Sequence, residues 1–139
     1  RDLAEWSISL LEQEVSGIFN ATGPKFNLTM GNFLTHCRDT IDPESSLIWI
    51  NDKFLLENEV TPWSDLPLWI PHNDEMKGFN RVSINRALDK GLRFRKLAET
   101  IRDTLEWWQF AGLSLPDIFG KKYERENELL QLWQNRKGG

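Results

Sequence analysis

"SSLIWIN", Ser45 to Asn51, follows the Asp42-Pro43 break and holds four consecutive apolar residues, Leu47 to Ile50. A run of that length next to a turn signal predicts a buried strand. Two further segments read the same way. Upstream, "GIFNATG" is a short apolar run between Gly17 and Gly23, with Pro24 forbidding its continuation as a central strand. Downstream, "FNRVSIN", Phe79 to Asn85, sets Val82 and Ile84 to one side and Arg81 and Ser83 to the other.

Helical patterns fill the intervals. In "RDLAEWSISLLEQEV", Asp2 with Glu5 three residues on has the form of a capped start, and Leu3, Trp6, Leu10 and Leu11 share one stripe. Thr29 is placed to cap a second helix, on which Met30, Phe33, Leu34, Cys37 and Ile41 recur at spacings of three and four. "KFLLENEV" predicts one or two helical turns, and "NRALDKG" another turn or two closed by Gly91. The strongest periodicity is Leu97, Ile101, Leu105 and Trp108, a helix stopped near Gly112, with Arg95–Glu99 and Arg102–Glu106 as expected ion pairs. A last helix is expected in "KKYERENELLQLWQN", with Leu129, Leu130 and Trp133 as its apolar patch. Strand and helix alternate, so the expected fold class is α/β, a small mixed or parallel sheet with several helices.

Composition narrows the function. A chain of 139 residues with 40% apolar and 27% charged side chains is long enough to bury a core. Its net charge of -4, with no basic cluster, argues against nucleic acid as a partner. No apolar run reaches the roughly 18 to 20 residues that span a bilayer, so no membrane partner is expected. The opening "RDLAEW" has neither an initiator methionine nor a signal-peptide pattern and reads as a cut from something longer. A lone Cys37 suits a reducing, cytoplasmic setting, and on the apolar face of its helix it reads as a core thiol rather than a nucleophile. The sequons Asn20-Ala21-Thr22 and Asn27-Leu28-Thr29 are set aside as chance matches.

Few residues carry recognisable chemistry. His36 and His72 are the only histidines and, with one cysteine, complete no zinc spacing, so no metal is expected. The nine glycines form neither a dinucleotide fingerprint nor a phosphate loop, and no Gly-x-Ser-x-Gly elbow occurs. Tyr123 is the only tyrosine, and Asn127 stands four residues later, so a Tyr-x-x-x-Lys hydride-transfer pair is absent. No catalytic residue is assigned. The candidate binding stretch is "TPWSDLPLWIPHNDEMKG", where Pro62, Pro67 and Pro71 exclude regular structure and a loop must hold Trp63, Leu66, Leu68 and Trp69. Trp63 and Trp69 are expected to stack on a small-molecule substrate, with His72 and Arg81 as polar contacts.

The order "RDLAEW", "GIFNATGP", "LTMGNFL", "PWSDLPLWIP", "RALDKGLRFRKLAETIRDTLEWW", "ENELLQLW" resembles the C-terminal part of an extended short-chain dehydrogenase/reductase, in particular the NAD-dependent epimerase/dehydratase-like and isoflavone-reductase-like proteins. Lys96 stands where that family usually has proline. The resemblance implies that residues 1–24, a helix and strand, adjoin the chain's own N-terminal Rossmann domain, which lies upstream with the glycine fingerprint and the Tyr-x-x-x-Lys pair. It implies that residues 25–139 form a substrate-binding cap, silent alone, of an enzyme using NAD or NADP. The family's Arg-Pro-Gly-Asp-like stretch has only "DEMKGFN" as its counterpart, which leaves Lys77 or Arg81 to meet an anionic group. The other reading is a stand-alone, non-catalytic binding or protein-interaction module of the same fold. An unpaired "GIFNATG" edge would also recruit a second copy, so a homodimer is expected.

Overall fold

The structure, a computed structural model, describes residues 1–72, 78, 81–113 and 115–136, and the side chains of all of these but 115–121. Six helices follow one another among the described residues: α1 (Asp2–Glu12), α2 (Met30–Ile41), α3 (Asp52–Glu57), α4 (Asn85–Asp89), α5 (Leu97–Phe110) and α6 (Leu115–Arg136). No strand occurs among them; the one β-type pairing is an isolated bridge between Pro62 and Leu66. The α/β expectation is therefore corrected to an all-helical architecture.

The three strand-like segments show why the pattern misled. In "GIFNATG", Phe19 turns in against the Trp6 ring at 5.6 Å, edge to face, while Ile18 is 86% exposed. In "SSLIWIN", Ile50 packs on the Phe54 cluster, and Ile48 and Trp49 are exposed. In "FNRVSIN", where Phe79 and Asn80 lie outside the described residues, Ile84 is buried but Val82 is exposed, not on its side as expected. Single anchors of this kind consume an apolar run without a hydrogen-bonded neighbour, and a strand exists only where its backbone groups find one. The nearest approach to a ladder is a side-chain bond, Asn20 Nδ2 donating to the Ser83 carbonyl at 3.2 Å. With no strand there, the strand edge invoked for dimerisation is absent from residues 17–23.

The chain divides into two compact units. The first comprises Arg1–Leu47 and Gly78–Glu106. Its core is Trp6, Ala87 and Leu92, with Leu10, Phe19 and Phe94 packed around them. The Trp6 indole N–H donates to the Lys90 carbonyl at 2.9 Å, tying α1 to the end of α4. Thr29 caps α2 as its sequence predicts, its hydroxyl accepting from the Asn32 amide at 3.2 Å. Asp2 does not cap α1. Its carboxylate instead accepts from the Arg95 amide at 3.1 Å and pairs with the Arg95 guanidinium, which also binds Asp103. Arg95 thus pairs with these two carboxylates rather than with the expected Glu99.

The second unit comprises Ile48–Lys77 and Trp107–Gly139, so that the last turn of α5 belongs to it. Phe54, Leu55, Val60 and Leu129 form its core, flanked by Ile50, Trp69 and Trp133. Asn51 caps α3 by accepting from the Phe54 amide at 2.8 Å, and the Arg125 guanidinium on α6 donates to the Asn58 carbonyl at 2.7 Å. Helix α6 starts earlier than its sequence suggests. Pro116 falls in its first turn, where a missing N–H costs nothing, and Tyr123 lies well inside the helix.

Helices α1, α3 and α4 end alike. Residues Glu14, Glu59 and Gly91 take φ of 53°, 59° and 87°, and the following amides of Val15, Val60 and Leu92 donate back to Leu10, Leu55 and Ala87. These are Schellman closures, in which the apolar residue after the left-handed one reaches back onto the last turn. Glycine suits the left-handed position, and only α4 has it there.

Candidate functional site

The proline-rich loop is built outward from Asp52, the first residue of α3. One carboxylate oxygen accepts from the Trp69 indole N–H at 2.8 Å, the other from the His72 amide at 2.8 Å. Asp65 makes a second knot, accepting from the Thr61 amide at 2.7 Å while its own amide donates to the Thr61 carbonyl at 3.0 Å. That Thr61 N–H first, then the Thr61 side chain, and last the charges of Lys122 and Arg125 hold the Asp65 carboxyl below its ordinary pKa. Lys122 on α6 closes the set by donating to the Ser64 carbonyl at 2.7 Å.

Within this frame two residues take a backbone conformation that side chains resist. Trp63 has φ of 65°, and the Ser64 amide reaches over it to the Pro62 carbonyl at 2.7 Å, a tight three-residue turn. Leu68 has φ of 66°, and the Trp69 amide donates to the Leu66 carbonyl at 3.2 Å, with Pro67 between. This is a proline-led turn whose third position ordinarily calls for glycine. A non-glycine residue in the left-handed region costs about 1–2 kcal/mol. Both side chains are nonetheless more than half exposed, Trp63 by 57% and Leu68 by 53%. Leu66 between them is exposed as well.

The four residues expected at a substrate site are thus placed as follows. Trp63 and Trp69 are joined by the Trp63 amide donating to the Trp69 carbonyl at 3.2 Å, and Asp52 links Trp69 to His72. Trp69 packs on the second unit's core, so its indole is a structural post of the loop; His72 is exposed. Arg81 lies in the first unit, exposed, its amide donating to the Gly78 carbonyl at 2.8 Å. Lys77 lies outside the described residues. Sequence reasoning found the loop but not its anchors Asp52, Asp65 and Lys122, because carboxylates and lysines are common on helix faces and only geometry singles them out.

Elsewhere, the Cys37 thiol is half-buried, and burial pushes its pKa up, the opposite of an activated nucleophile. His36 donates through Nδ1 to the Asn32 carbonyl at 2.8 Å within α2. Among the described residues no group of three or more histidine, cysteine, aspartate or glutamate side chains is arranged to hold a metal, and no helix is long and apolar enough to cross a membrane.

Compared with family models, with curated proteins and with solved structures, the chain matches none. Together with the helical fold, this overturns the resemblance to the C-terminal part of an extended short-chain dehydrogenase/reductase. The reductase, epimerase or dehydratase activity and its NAD or NADP rested on that resemblance and gain no support from the fold.

Proposed function

We propose that the chain is a non-catalytic protein-interaction module whose contact surface is the loop from Pro62 to Trp69. The observation that carries this reading is the pairing of backbone strain with exposure at Trp63 and Leu68. Strained backbone gathers at recognition surfaces, and here it is held by Asp52, Asp65 and Lys122 while the Trp63 and Leu68 side chains stay more than half exposed. A preorganised loop loses little further entropy on binding, and tryptophan is the side chain most enriched at the energetic centres of protein interfaces. Aliphatic leucines beside the tryptophan suit an apolar patch on a partner protein better than the flat face of a sugar. The single free thiol is consistent with a cytoplasmic setting for this module.

The test immobilises the whole chain and two variants, Trp63→Ala and Leu68→Gly, each checked for unchanged helix content by circular dichroism. A partner retained by the wild type, bound by it in purified form and weakened roughly tenfold or more by both variants is the expected result. Equal binding by all three proteins overturns the reading.

A further inference from the structure

We infer that the first unit carries a separate binding site for a small organic oxyanion with a flat apolar body, an aryl phosphate or aryl carboxylate in chemical class. The observation is an open cleft of about 730 Å³ whose lining includes Arg1, Lys25, Arg93, Arg95 and Lys96 but, of the acidic residues, only Asp2. In a chain of net charge -4 this concentration of cations on one concave surface is against the overall balance. Two of the five are neutralised: Arg1 pairs with Glu5 at 3.0 Å, and Arg95 is held by Asp2 and Asp103. Among the described residues Lys25, Arg93 and Lys96 have no acidic partner, so the cleft keeps a positive potential that a concave wall focuses. Leu97 and Thr100 of the first turn of α5 line the same wall, and the amide end of a 14-residue helix adds to that potential.

The remaining wall is apolar. Phe26, Leu28, Pro24 and Phe94 line it, and Phe26 is 62% exposed. The Phe94 ring lies so close over Gly23 that a Cβ there would meet its Cε1 at 2.7 Å. Glycine at position 23 therefore lets an aromatic ring lie against the backbone beside the cations. A charged head meeting Lys25, Arg93 and Lys96 and a flat body resting on Phe94 and Phe26 satisfy both halves of the cleft at once, by charge-assisted hydrogen bonds and by ring contact.

The experiment is amide chemical-shift titration of the whole chain with phenyl phosphate, phenylacetate and, as a neutral control, benzyl alcohol. Saturable shifts confined to residues 24–28 and 93–100 with one or both anions, and none with the alcohol, are expected; the tighter anion distinguishes phosphate from carboxylate. Lys25→Ser with Lys96→Ser should weaken the anion roughly tenfold or more while leaving the spectrum otherwise unchanged. Gly23→Ala, which displaces the Phe94 ring, should weaken it independently of charge. No saturable shift at millimolar anion, equal shifts with benzyl alcohol, or affinity untouched in both variants overturns the proposal.

Discussion

Asp52 and Trp69, seventeen positions apart in the chain, are joined by a 2.8 Å hydrogen bond from the indole N–H to the carboxylate. The second carboxylate oxygen takes the His72 amide, so one side chain at the start of α3 sets the exit of the whole loop. Asp52→Ala removes both bonds and leaves a partly buried indole N–H without its acceptor. Bonds to a charged acceptor are worth about 1.5–3 kcal/mol. The variant should lose about 2 kcal/mol or more in urea unfolding. A change within a few tenths of a kcal/mol would show that the loop holds its shape without Asp52.

Glutamate closes α1 and α3 where glycine would relieve strain, at Glu14 and Glu59. Glu14→Gly and Glu59→Gly should each stabilise the fold by about 1 kcal/mol, seen as a higher Tm. Gly91→Ala at the matching position after α4 should do the reverse, since alanine resists its φ of 87°. Should all three lower Tm, something other than left-handed backbone strain would govern the stability of these helix ends.

Protonation should loosen the loop from the Asp65 side. Its carboxyl has a pKa held below the unfolded value of about 3.9 by the Thr61 amide. A depressed carboxylate contributes stability that is fully present above the unfolded pKa and is lost as pH falls through the folded one. The Thr61 amide resonance should therefore titrate below about pH 4, and Asp65→Asn should abolish that step. A midpoint above the unfolded value would contradict the bond.

Trp6 links α1 to α4 through its N–H and holds Phe19 against its ring. Trp6→Phe keeps an aromatic against Phe19 but leaves the Lys90 carbonyl without its donor. Denaturant unfolding should register a loss of about 1–3 kcal/mol, and Trp6→Leu a larger one. Identical losses for the two would assign the effect to the N–H bond that both remove, with no share for ring contact or volume.

What was legible in the chain is what close neighbours decide. The spacing of Leu97, Ile101 and Leu105 marks α5 because residues three and four apart share a helix face whatever else surrounds them. Thr29 as a cap and Gly91 as a closure were readable for the same reason, since each acts on amides within a few residues of itself. The proline spacing marked the loop from Pro62 to Pro71, though not what holds it.

The α/β reading failed where a partner distant in sequence had to be supplied. Leu47 to Ile50 is apolar whether it pairs in a sheet or sets one isoleucine on a helix cluster, and only the fold shows that Ile50 takes the second course. Arg95 likewise has carboxylates on either side, and the fold joins it to Asp2, 93 positions away, by a hydrogen bond. Local spacing and composition were enough for the main helices, the Thr29 cap and the acidic balance, because each of these acts within a few residues or sums over the whole chain. Folding in three dimensions chose which apolar runs become anchors, exposed Trp63 and Leu68 on a strained backbone and gathered cations beside Phe94, because each of these depends on residues brought together from far along the chain.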